Sequence, residues 1–163
     1  MTVFIYGPPA SGKTTIGEKI ARELGCEAEF LDLDLCIEQE AGASIPEIFK
    51  MHGESWFREL ESKVLAKIVR DHTISSSKTL VLSLGGGALL DKTSRELCES
   101  SGTVFCLEPP TLEELERRIA SRPSSRPLGN RLAERAMHYA SFTHRFQASN
   151  IEPVLKCARK PKI

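Results

Sequence analysis

The sequence is short of the features that mark several classes of protein. Only 6% of its 163 residues are aromatic, and 22 Lys and Arg balance 22 Asp and Glu, which gives a formal net charge of zero at pH 7. A neutral chain has no global field that attracts nucleic acid or a membrane surface. No apolar run approaches the ~20 residues that a membrane-spanning helix needs. We therefore expect a protein that binds neither nucleic acid nor membrane.

Signals for export and for assembly are also lacking. The first residues show no charged region or cleavage site of a leader peptide and already read as a strand, which predicts a cytoplasmic location. No extended apolar surface stripe calls for a partner, so we expect a monomer. A chain of 163 residues is expected to form one domain with a substantial core.

The five cysteines form no C-x-x-C pair and show no metal-ligand spacing with histidine. An odd number, mostly within apolar runs, is typical of reduced thiols rather than of a disulfide framework. We predict that all five act as small buried hydrophobic side chains. They are Cys26, Cys36, Cys98, Cys106 and Cys157.

A complete phosphate-binding pattern is present near the start of the sequence. Residues 7–14 read Gly-Pro-Pro-Ala-Ser-Gly-Lys-Thr, which matches the spacing G-x-x-x-x-G-K-[ST]. Residues 3–6 read as an apolar strand before it, and residues 14–24 as a helix after it. In this context backbone N–H groups surround an anion, Lys13 reaches the β- and γ-phosphates, and the Thr14 hydroxyl ligates Mg²⁺. A chance glycine-rich turn is the alternative, but the full set of matches favours a site for a nucleoside triphosphate.

Strand-like runs alternate with helical patterns along the chain. In the first helix Ile16, Ile20 and Leu24 fall four residues apart on one face, and Gly25 follows where a C-terminal cap belongs. Such alternation is typical of a parallel α/β sheet with helices on both sides, in which ligands collect beyond the carboxyl ends of the strands. The predicted strands are residues 3–6, 29–33, 79–84 and 103–107, with a weaker one at 145–148.

Two stretches interrupt this alternation. Residues 34–62 are helical in pattern but follow the second strand without a return strand, which predicts an inserted substrate-binding segment. Residues 118–131 are rich in Arg, Pro and Ser and are predicted to form a mobile loop over the site. No aromatic residues interleave there, so closing over a triphosphate explains the arginines better than nucleic acid does. The arginines within and next to this stretch are Arg117, Arg118, Arg122, Arg126, Arg131 and Arg135.

Asp32 and Asp34 lie two residues apart at the end of the second predicted strand. If the chain is still extended there, both side chains point to the same side. Phosphoryl transfer uses one acid near the metal and a carboxylate that accepts the proton of the attacking hydroxyl. The strand predicted beside the loop ends at Ser83 and Leu84 without an acid, which leaves Asp32 for the metal-linked role. The alternative is that Asp34 merely caps the following helix.

Arg58 stands between two acids, with Glu54 four residues before it and Glu61 three residues after it. On one helix face both acids can hold the guanidinium, beside Trp56 and Phe57. A guanidinium held in this way suits the binding of a small carboxylate. An ordinary salt-bridged helix is the alternative.

Three glycines, residues 85–87, directly follow the predicted strand at 79–84. Without side chains they let a ligand touch the backbone, and their N–H groups can donate to it. A flexible loop would give the same pattern, and on their own the glycines do not decide between the two.

Taken together, these residues resemble the shikimate kinases, over residues 3–153. Only the phosphate loop is specific by itself, but the order and spacing of the motifs are jointly specific. The resemblance implies a three-layer α/β P-loop kinase fold with a five-stranded parallel sheet and a lid. It also implies an enzyme that uses ATP and Mg²⁺ to phosphorylate the 3-hydroxyl of shikimate in aromatic amino acid (chorismate) biosynthesis. The matching motifs are residues 7–15, 32–34, 45–49, 53–54, 57–61, 85–87 and 126–128, and Arg135 with Tyr139.

The resemblance implies a role for each matching residue. Lys13 and Arg126 stabilise the transferred phosphoryl group, Asp34 takes the proton of the reacting hydroxyl, and Thr14 and Asp32 hold the metal. The substrate-binding residues are Asp34, Phe49, Phe57, Arg58, Glu61, Gly85, Gly86, Gly87 and Arg135, of which Arg58 and Arg135 grip the carboxylate and Glu61 orients Arg58. The ATP-binding residues are Pro9, Ala10, Ser11, Gly12, Lys13, Thr14, Thr15 and Arg126, with either Arg118 or Arg122 against the adenine.

Two other functions are compatible with parts of this pattern. A related small-molecule kinase, for example one acting on gluconate, would share the loop but would not need two arginines beside a buried acid. A homologue without catalysis, serving as a nucleotide-gated binding module, would be expected to lack Lys13, Asp34 or a clamp arginine, and all are present. Gly129 stands where the lid of the shikimate kinases has a second leucine, which affects the stiffness of the lid rather than the chemistry.

Overall fold

The computed structural model describes residues 1–108, 111–120 and 129–159, and within them five parallel strands form one sheet. The order across the sheet is β2-β3-β1-β4-β5, so the phosphate loop directly follows the central strand, β1. The predicted five-stranded parallel sheet is confirmed. The strands are β1 (Thr2–Tyr6), β2 (Ala28–Asp32), β3 (Thr79–Ser83), β4 (Thr103–Leu107) and β5 (His144–Phe146).

Helices cover both faces of this sheet. The described ranges contain α1 (Lys13–Leu24), α2 (Leu33–Ala41), α3 (Ile45–Ser75), α4 (Lys92–Ser101), α5 (Leu112–Ala120), α6 (Gly129–Ala140) and α7 (Glu152–Ala158). Because strand side chains alternate, Phe4 and Tyr6 of β1 join a core formed with α2, α3, α4 and α6, whereas Val3 and Ile5 join a core formed with α1 and α7. The result is three layers. No helix in these ranges is both long and apolar enough to cross a membrane.

The ends of three predicted strands differ from the structure. The second strand ends at Asp32 rather than at residue 33, because Leu33 already begins α2. The third ends at Ser83, one residue before its prediction, and the last occupies His144–Phe146 instead of residues 145–148. This last strand is only three residues long and pairs with β4 alone, so its sequence carries little pattern.

The predicted insertion at residues 34–62 is part of a longer helical stretch. After α2 the chain enters α3, which continues to Ser75 and returns the chain to β3. A capping box fixes the start of α3: Glu47 accepts hydrogen bonds from the backbone N–H of Ser44 at 2.8 Å and from its hydroxyl at 2.6 Å. At Gly53, φ is 79° and ψ is −178°, so α3 consists of two helices joined at a kink.

The predicted loop at residues 118–131 is helical at both of its ends. Residues 118–120 belong to α5 and residues 129–131 to α6, which corrects the prediction for these six positions. Residues 121–128 lie outside the described part of the chain, and with them Arg122 and Arg126.

The prediction that all five cysteines are buried is wrong for three of them. Cys26 is exposed in a short turn between α1 and β2, and Cys36 and Cys157 are half-buried. Cys98 and Cys106 are buried, and burial raises the pKa of the Cys98 thiol to about 12 and that of Cys106 to about 11. All five are free thiols.

Candidate active site

The phosphate loop joins the carboxyl end of β1 to the start of α1. Its lysine is buried: Lys13 is 9% exposed, and its Nζ donates a hydrogen bond to the carbonyl of Pro8 at 2.7 Å. The loop lies tightly against β4, since a Cβ atom on Gly7 would fall 2.7 Å from the carbonyl oxygen of Leu107. The amino group of Lys13 is therefore held against the backbone of the loop, where the binding of a phosphate requires a positive charge.

Thr14 and Asp32 meet beside this loop. The Thr14 hydroxyl donates a hydrogen bond of 2.6 Å to Oδ2 of Asp32. The other oxygen of Asp32 caps α2 by accepting from the backbone N–H of Asp34 at 2.9 Å and of Leu35 at 3.4 Å. A hydroxyl and a carboxylate at this separation are the oxygen ligands that Mg²⁺ prefers.

The predicted geometry of the two aspartates needs a correction. The chain is no longer extended at Asp34, which lies in the first turn of α2, and the capping residue is Asp32 rather than Asp34. Both side chains nevertheless line one cavity. The absence of an acid at the end of β3 is confirmed, and Asp32 comes from the next strand, where it is paired in register with Ser83.

Asp34 is one of the residues that line this cavity. Solvent reaches its side chain, but the concave wall surrounds it with protein on most sides. Loss of hydration first, and then the negative charge of Asp32, raise the pKa of its carboxyl, while Lys13 and Arg58 act in the opposite direction. The result is a carboxylate that holds a proton more strongly than an ordinary one.

Arg58 is fixed by the two acids that its spacing predicted. Its Nη1 donates to Oε2 of Glu61 at 2.6 Å, and its Nη2 lies 3.6 Å from Oε1 of Glu54. The Glu61 side chain is only 4% exposed, and burial raises the pKa of its carboxyl while Arg58 lowers it. Because a buried carboxylate costs free energy unless it is paired, Glu61 restricts Arg58 to one orientation.

A Cβ atom on any of the three glycines would lie less than 3.0 Å from a neighbouring atom. On Gly85 it would lie 2.9 Å from Oε1 of Glu61 and 3.1 Å from Oδ1 of Asp34. On Gly87 it would lie 2.7 Å from Nη2 of Arg58. Without side chains, residues 85–87 line the cavity with their backbone, which favours the binding role over the flexible loop.

Aromatic side chains form one wall of the cavity. Phe49 and Phe57 stack across the kink of α3, with ring centroids 4.6 Å apart, and the Arg58 guanidinium lies 5.2 Å from the Phe57 centroid. Trp56 does not flank Arg58 in the cavity as predicted. It stacks on His52 at 4.2 Å and is 39% exposed, because its position on the helix turns it away from Phe57.

The cavity has a volume of about 300 Å³ and unites most of the predicted residues. Every site residue predicted between positions 9 and 87 lines it, except Ser11, and Arg135 reaches it from α6. Three lining residues were missed: Ile45, Ser83 and Leu84. Ile45 precedes Phe49 by one helical turn, a spacing that would have indicated it.

Arg118 lies at the rim of the phosphate loop. Its Nη1 donates to the carbonyl of Ala10 at 3.4 Å, and its Nε donates to Glu114 at 2.7 Å. Of the two arginines predicted near the adenine, Arg118 is therefore beside the loop. Arg122, like Arg126, lies outside the described residues.

Comparison with known proteins identifies the family of this chain. The shikimate kinase family model matches residues 9–154. The shikimate kinase of Francisella tularensis subsp. novicida is 40% identical over 126 residues, which are 77% of this chain and 66% of that protein, just under two thirds of its length.

Solved structures agree with this result. A shikimate kinase from Acinetobacter baumannii in complex with shikimate has a TM-score of 0.78 and 32% identity, over 97% of this chain and 88% of the other. The shikimate kinase from Bacteroides thetaiotaomicron has a TM-score of 0.76 and 29% identity, over 93% and 89%. This protein belongs to the shikimate kinase family.

Proposed function

We propose that the protein transfers the γ-phosphoryl group of ATP to the 3-hydroxyl of shikimate, giving shikimate 3-phosphate and ADP for aromatic amino acid (chorismate) biosynthesis. The observation that carries the proposal is the convergence of Arg58 and Arg135 on the cavity that also holds Lys13 and Asp34. The complex of the A. baumannii relative with shikimate supports the identity of the acceptor.

The charge of the cavity fits an acceptor that is a small carboxylic acid. Arg58 shares its charge with Glu61 and Glu54, and Arg135 brings a second guanidinium to the cavity, which supplies positive charge for a ligand. Two guanidinium groups offer paired N–H donors that match the geometry of a carboxylate. We assign the carboxylate of shikimate to this pair, and its ring to Phe49, Phe57 and residues 85–87.

The chemistry takes place at the other end of the cavity. The γ-phosphorus forms a bond to the 3-hydroxyl oxygen, the bond to the oxygen of ADP breaks, and Asp34 takes the hydroxyl proton. The raised pKa of Asp34 suits it to this role, because a more basic carboxylate gains more from taking the proton. Lys13 stabilises the negative charge on the transferring group.

Thr14 and Asp32 are the residues that would hold Mg²⁺, since their oxygens lie 2.6 Å apart at the edge of the loop. When bound, the ion neutralises charge that develops on the phosphate oxygens. We further propose that Pro9, Ala10, Ser11, Gly12 and Thr15 cradle the phosphates and that Arg118 contacts the nucleotide. The roles of Arg122 and Arg126, the single domain, the monomeric state and the cytoplasmic location stay predictions from the sequence.

The test is the release of ADP by the purified protein with ATP and Mg²⁺, measured with shikimate, with gluconate and without an acceptor. We expect strong stimulation by shikimate alone, and ³¹P NMR should place the phosphate on the 3-oxygen. Stimulation by gluconate would indicate the related sugar-acid kinase. ATP binding without turnover on either acceptor would indicate a nucleotide-binding module instead of an enzyme.

A further inference from the structure

Tyr139 lies next to two residues that line the cavity, Gly86 and Arg135. Its hydroxyl donates a hydrogen bond of 2.6 Å to the carbonyl of Gly86, the middle residue of the glycine turn. The side chain of Arg135 lies near the same hydroxyl and lowers the pKa of Tyr139, against the larger effect of burial, which raises it. Arg135 and Tyr139 are four residues apart on α6, so their side chains lie on one face of the helix.

The anchor of this contact is well fixed. Tyr139 is 7% exposed, and its ring packs against that of Tyr6 with centroids 5.5 Å apart. The Tyr6 hydroxyl also approaches the carbonyl of Gly86, at 3.3 Å, and lies 3.0 Å from Nε2 of His138. An oxygen held between two buried tyrosines moves little, so Tyr139 has a fixed point from which to orient a third group.

The two arginines of the cavity thus have different partners. Arg58 is held by the carboxylate of Glu61, whereas Arg135 lies beside the neutral hydroxyl of Tyr139. Glu61 also interacts with the charge of Arg135, but less strongly than with that of Arg58. A further carboxylate beside Arg135 would weaken its attraction for an acidic ligand, while a hydroxyl orients the guanidinium and leaves its charge available.

We propose that Tyr139 is a positioning residue that aims the guanidinium of Arg135 at the carboxylate of shikimate, with the carbonyl of Gly86 as its anchor. The inference rests on the proposed function and adds a residue to which no role in binding has been assigned. Tyr139 is not among the residues that line the cavity, so the proposal gives it no contact with the substrate. It restricts Arg135 to few orientations in the free protein, so Arg135 loses less conformational entropy when the substrate binds.

The experiment compares the kinetics of the wild type with Tyr139→Phe, Arg135→Ala and the double variant. For Tyr139→Phe we expect the KM for shikimate to rise about tenfold, a change of about 1.4 kcal/mol, with kcat and the KM for ATP within about twofold. In the Arg135→Ala background the same substitution should raise the KM less than about twofold, because the residue that it positions is gone.

Tyr6→Phe is the matched control. It also removes a buried hydroxyl from the carbonyl of Gly86, but that oxygen keeps its shorter bond from Tyr139. Because Tyr6→Phe also removes the contact with His138, we expect it to lose at least as much thermal stability as Tyr139→Phe, but without the rise in KM for shikimate. Equal KM values in both variants would assign the effect to the loss of buried hydroxyls in general.

Three other results would overturn the inference: an unchanged KM in Tyr139→Phe, parallel changes in kcat and both KM values, or the full tenfold effect in the Arg135→Ala background. In each of these cases the wild type still phosphorylates shikimate, so the proposed function stands. If the wild type itself does not turn over shikimate, the proposed function fails and the inference falls with it.

Discussion

At the scale of single residues, the distance between backbone and charged side chains determines which substitutions the cavity accepts. Gly87 has φ −119° and ψ 0°, which alanine adopts without strain. Its Cβ atom would still lie 2.7 Å from Nη2 and 3.0 Å from Cζ of Arg58. Those atoms are the far end of a flexible side chain, so Arg58 can move while the fold remains.

For Gly87→Ala we therefore expect a KM for shikimate at least about tenfold higher, with the free energy of unfolding changed by less than about 1 kcal/mol. Steady-state kinetics and urea unfolding measure the two quantities. Gly102→Ala is the control, because its Cβ atom would strike the backbone of Thr2, far from the cavity. It should lose stability and keep its KM; a loss of stability in Gly87→Ala as large as in Gly102→Ala would contradict the argument.

Asp34 is expected to contribute to catalysis at a cost in stability. Its carboxyl has a pKa raised above the ordinary 3.8 by loss of hydration and by Asp32, so ionisation in the folded protein costs free energy. Asp34→Asn removes this cost, and we expect kcat to fall about 10²–10⁴-fold while Tm at pH 7 rises by about 1–3 °C. The gain is small because solvent reaches the side chain and screens its charge.

The pH dependence of this gain has a definite sign. Below pH 3.8 the carboxyl is protonated in both the folded and the unfolded chain, so Asp34→Asn and the wild type should differ little. As the pH rises through the raised pKa, the wild type loses stability relative to the variant. A series of melting curves between pH 3.5 and about 7 measures this.

Asp32→Asn should instead lose stability at pH 7, since Asp32 caps α2 and accepts from Thr14. A matching gain in Asp32→Asn would refute the assignment of the stability gain to Asp34.

The sequence predicted residues whose roles depend on near neighbours in the chain. The loop lysine, the Arg58–Glu61 pair and the glycine turn were all found through spacings of a few residues. The contact between Tyr139 and Gly86 joins positions 53 residues apart, and that between Tyr6 and Gly86 spans 80. Tyr6 reads as one more apolar residue of a buried strand, so no local pattern indicates that its hydroxyl meets a carbonyl near the site.

At the scale of elements, the kink in α3 brings the two aromatic walls together. Gly53 separates the helical turns that carry Phe49 and Phe57, whose rings stack at 30° and 4.6 Å. Its φ of 79° and ψ of −178° lie in a region that is nearly exclusive to glycine. No atom would lie within 4 Å of an added Cβ atom, so the cost of alanine comes from the backbone alone.

We expect Gly53→Ala to lower the free energy of unfolding by about 1–3 kcal/mol and to raise the KM for shikimate, because relief of the strain shifts Phe49 relative to Phe57. Gly42 is the control, since its φ of 65° and ψ of 20° form a left-handed cap at the end of α2. Gly42→Ala should cost about 1 kcal/mol without an effect on the KM.

Asparagine distinguishes the two positions further. It tolerates the left-handed region, so Gly42→Asn should recover most of the stability lost in Gly42→Ala. The backbone of Gly53 lies elsewhere, and Gly53→Asn should recover none. Equal recovery at both sites in denaturant unfolding would show that α3 does not need its kink.

Helices and strands were predicted well where one hydrophobic period dominates the sequence. They were predicted poorly where a strand passes into a helix or where a helix has a kink. The buried strands have continuous apolar runs, and α1 has one apolar face followed by Gly25. The end of β2 was placed too late because Asp32 and Asp34 alternate as strand residues do, although Asp32 already caps α2. The kink within α3 was not predicted, since Gly53 interrupts a helical pattern that continues on both sides of it.

At the scale of the whole molecule, the strand order explains why the site is assembled from distant parts of the chain. With β1 at the centre, the carboxyl ends of β2, β3 and β1 adjoin one another. They supply Asp32, the glycine turn and the phosphate loop, in that order across the sheet. The helices α3 and α6 then add one arginine each from the same side of the sheet.

This arrangement predicts that shikimate stabilises the protein without nucleotide, because Arg58 is already held by Glu61. At a concentration of 100 times Kd the gain is about 2.7 kcal/mol, or about 5–10 °C in Tm for a chain of this size. Differential scanning calorimetry with shikimate, with gluconate and with ATP and Mg²⁺ measures it.

Variants on α3 separate the clamp from general effects on the helix. In Arg58→Ala the shift with shikimate should disappear while the shift with ATP and Mg²⁺ persists. Arg70→Ala is the matched control, since Arg70 lies on the same helix, is 66% exposed and pairs only with its neighbour Asp71 among the described residues. It should keep both shifts. If shikimate still raised the Tm of Arg58→Ala by the full amount, Arg58 would not be part of the site that binds the acceptor carboxylate.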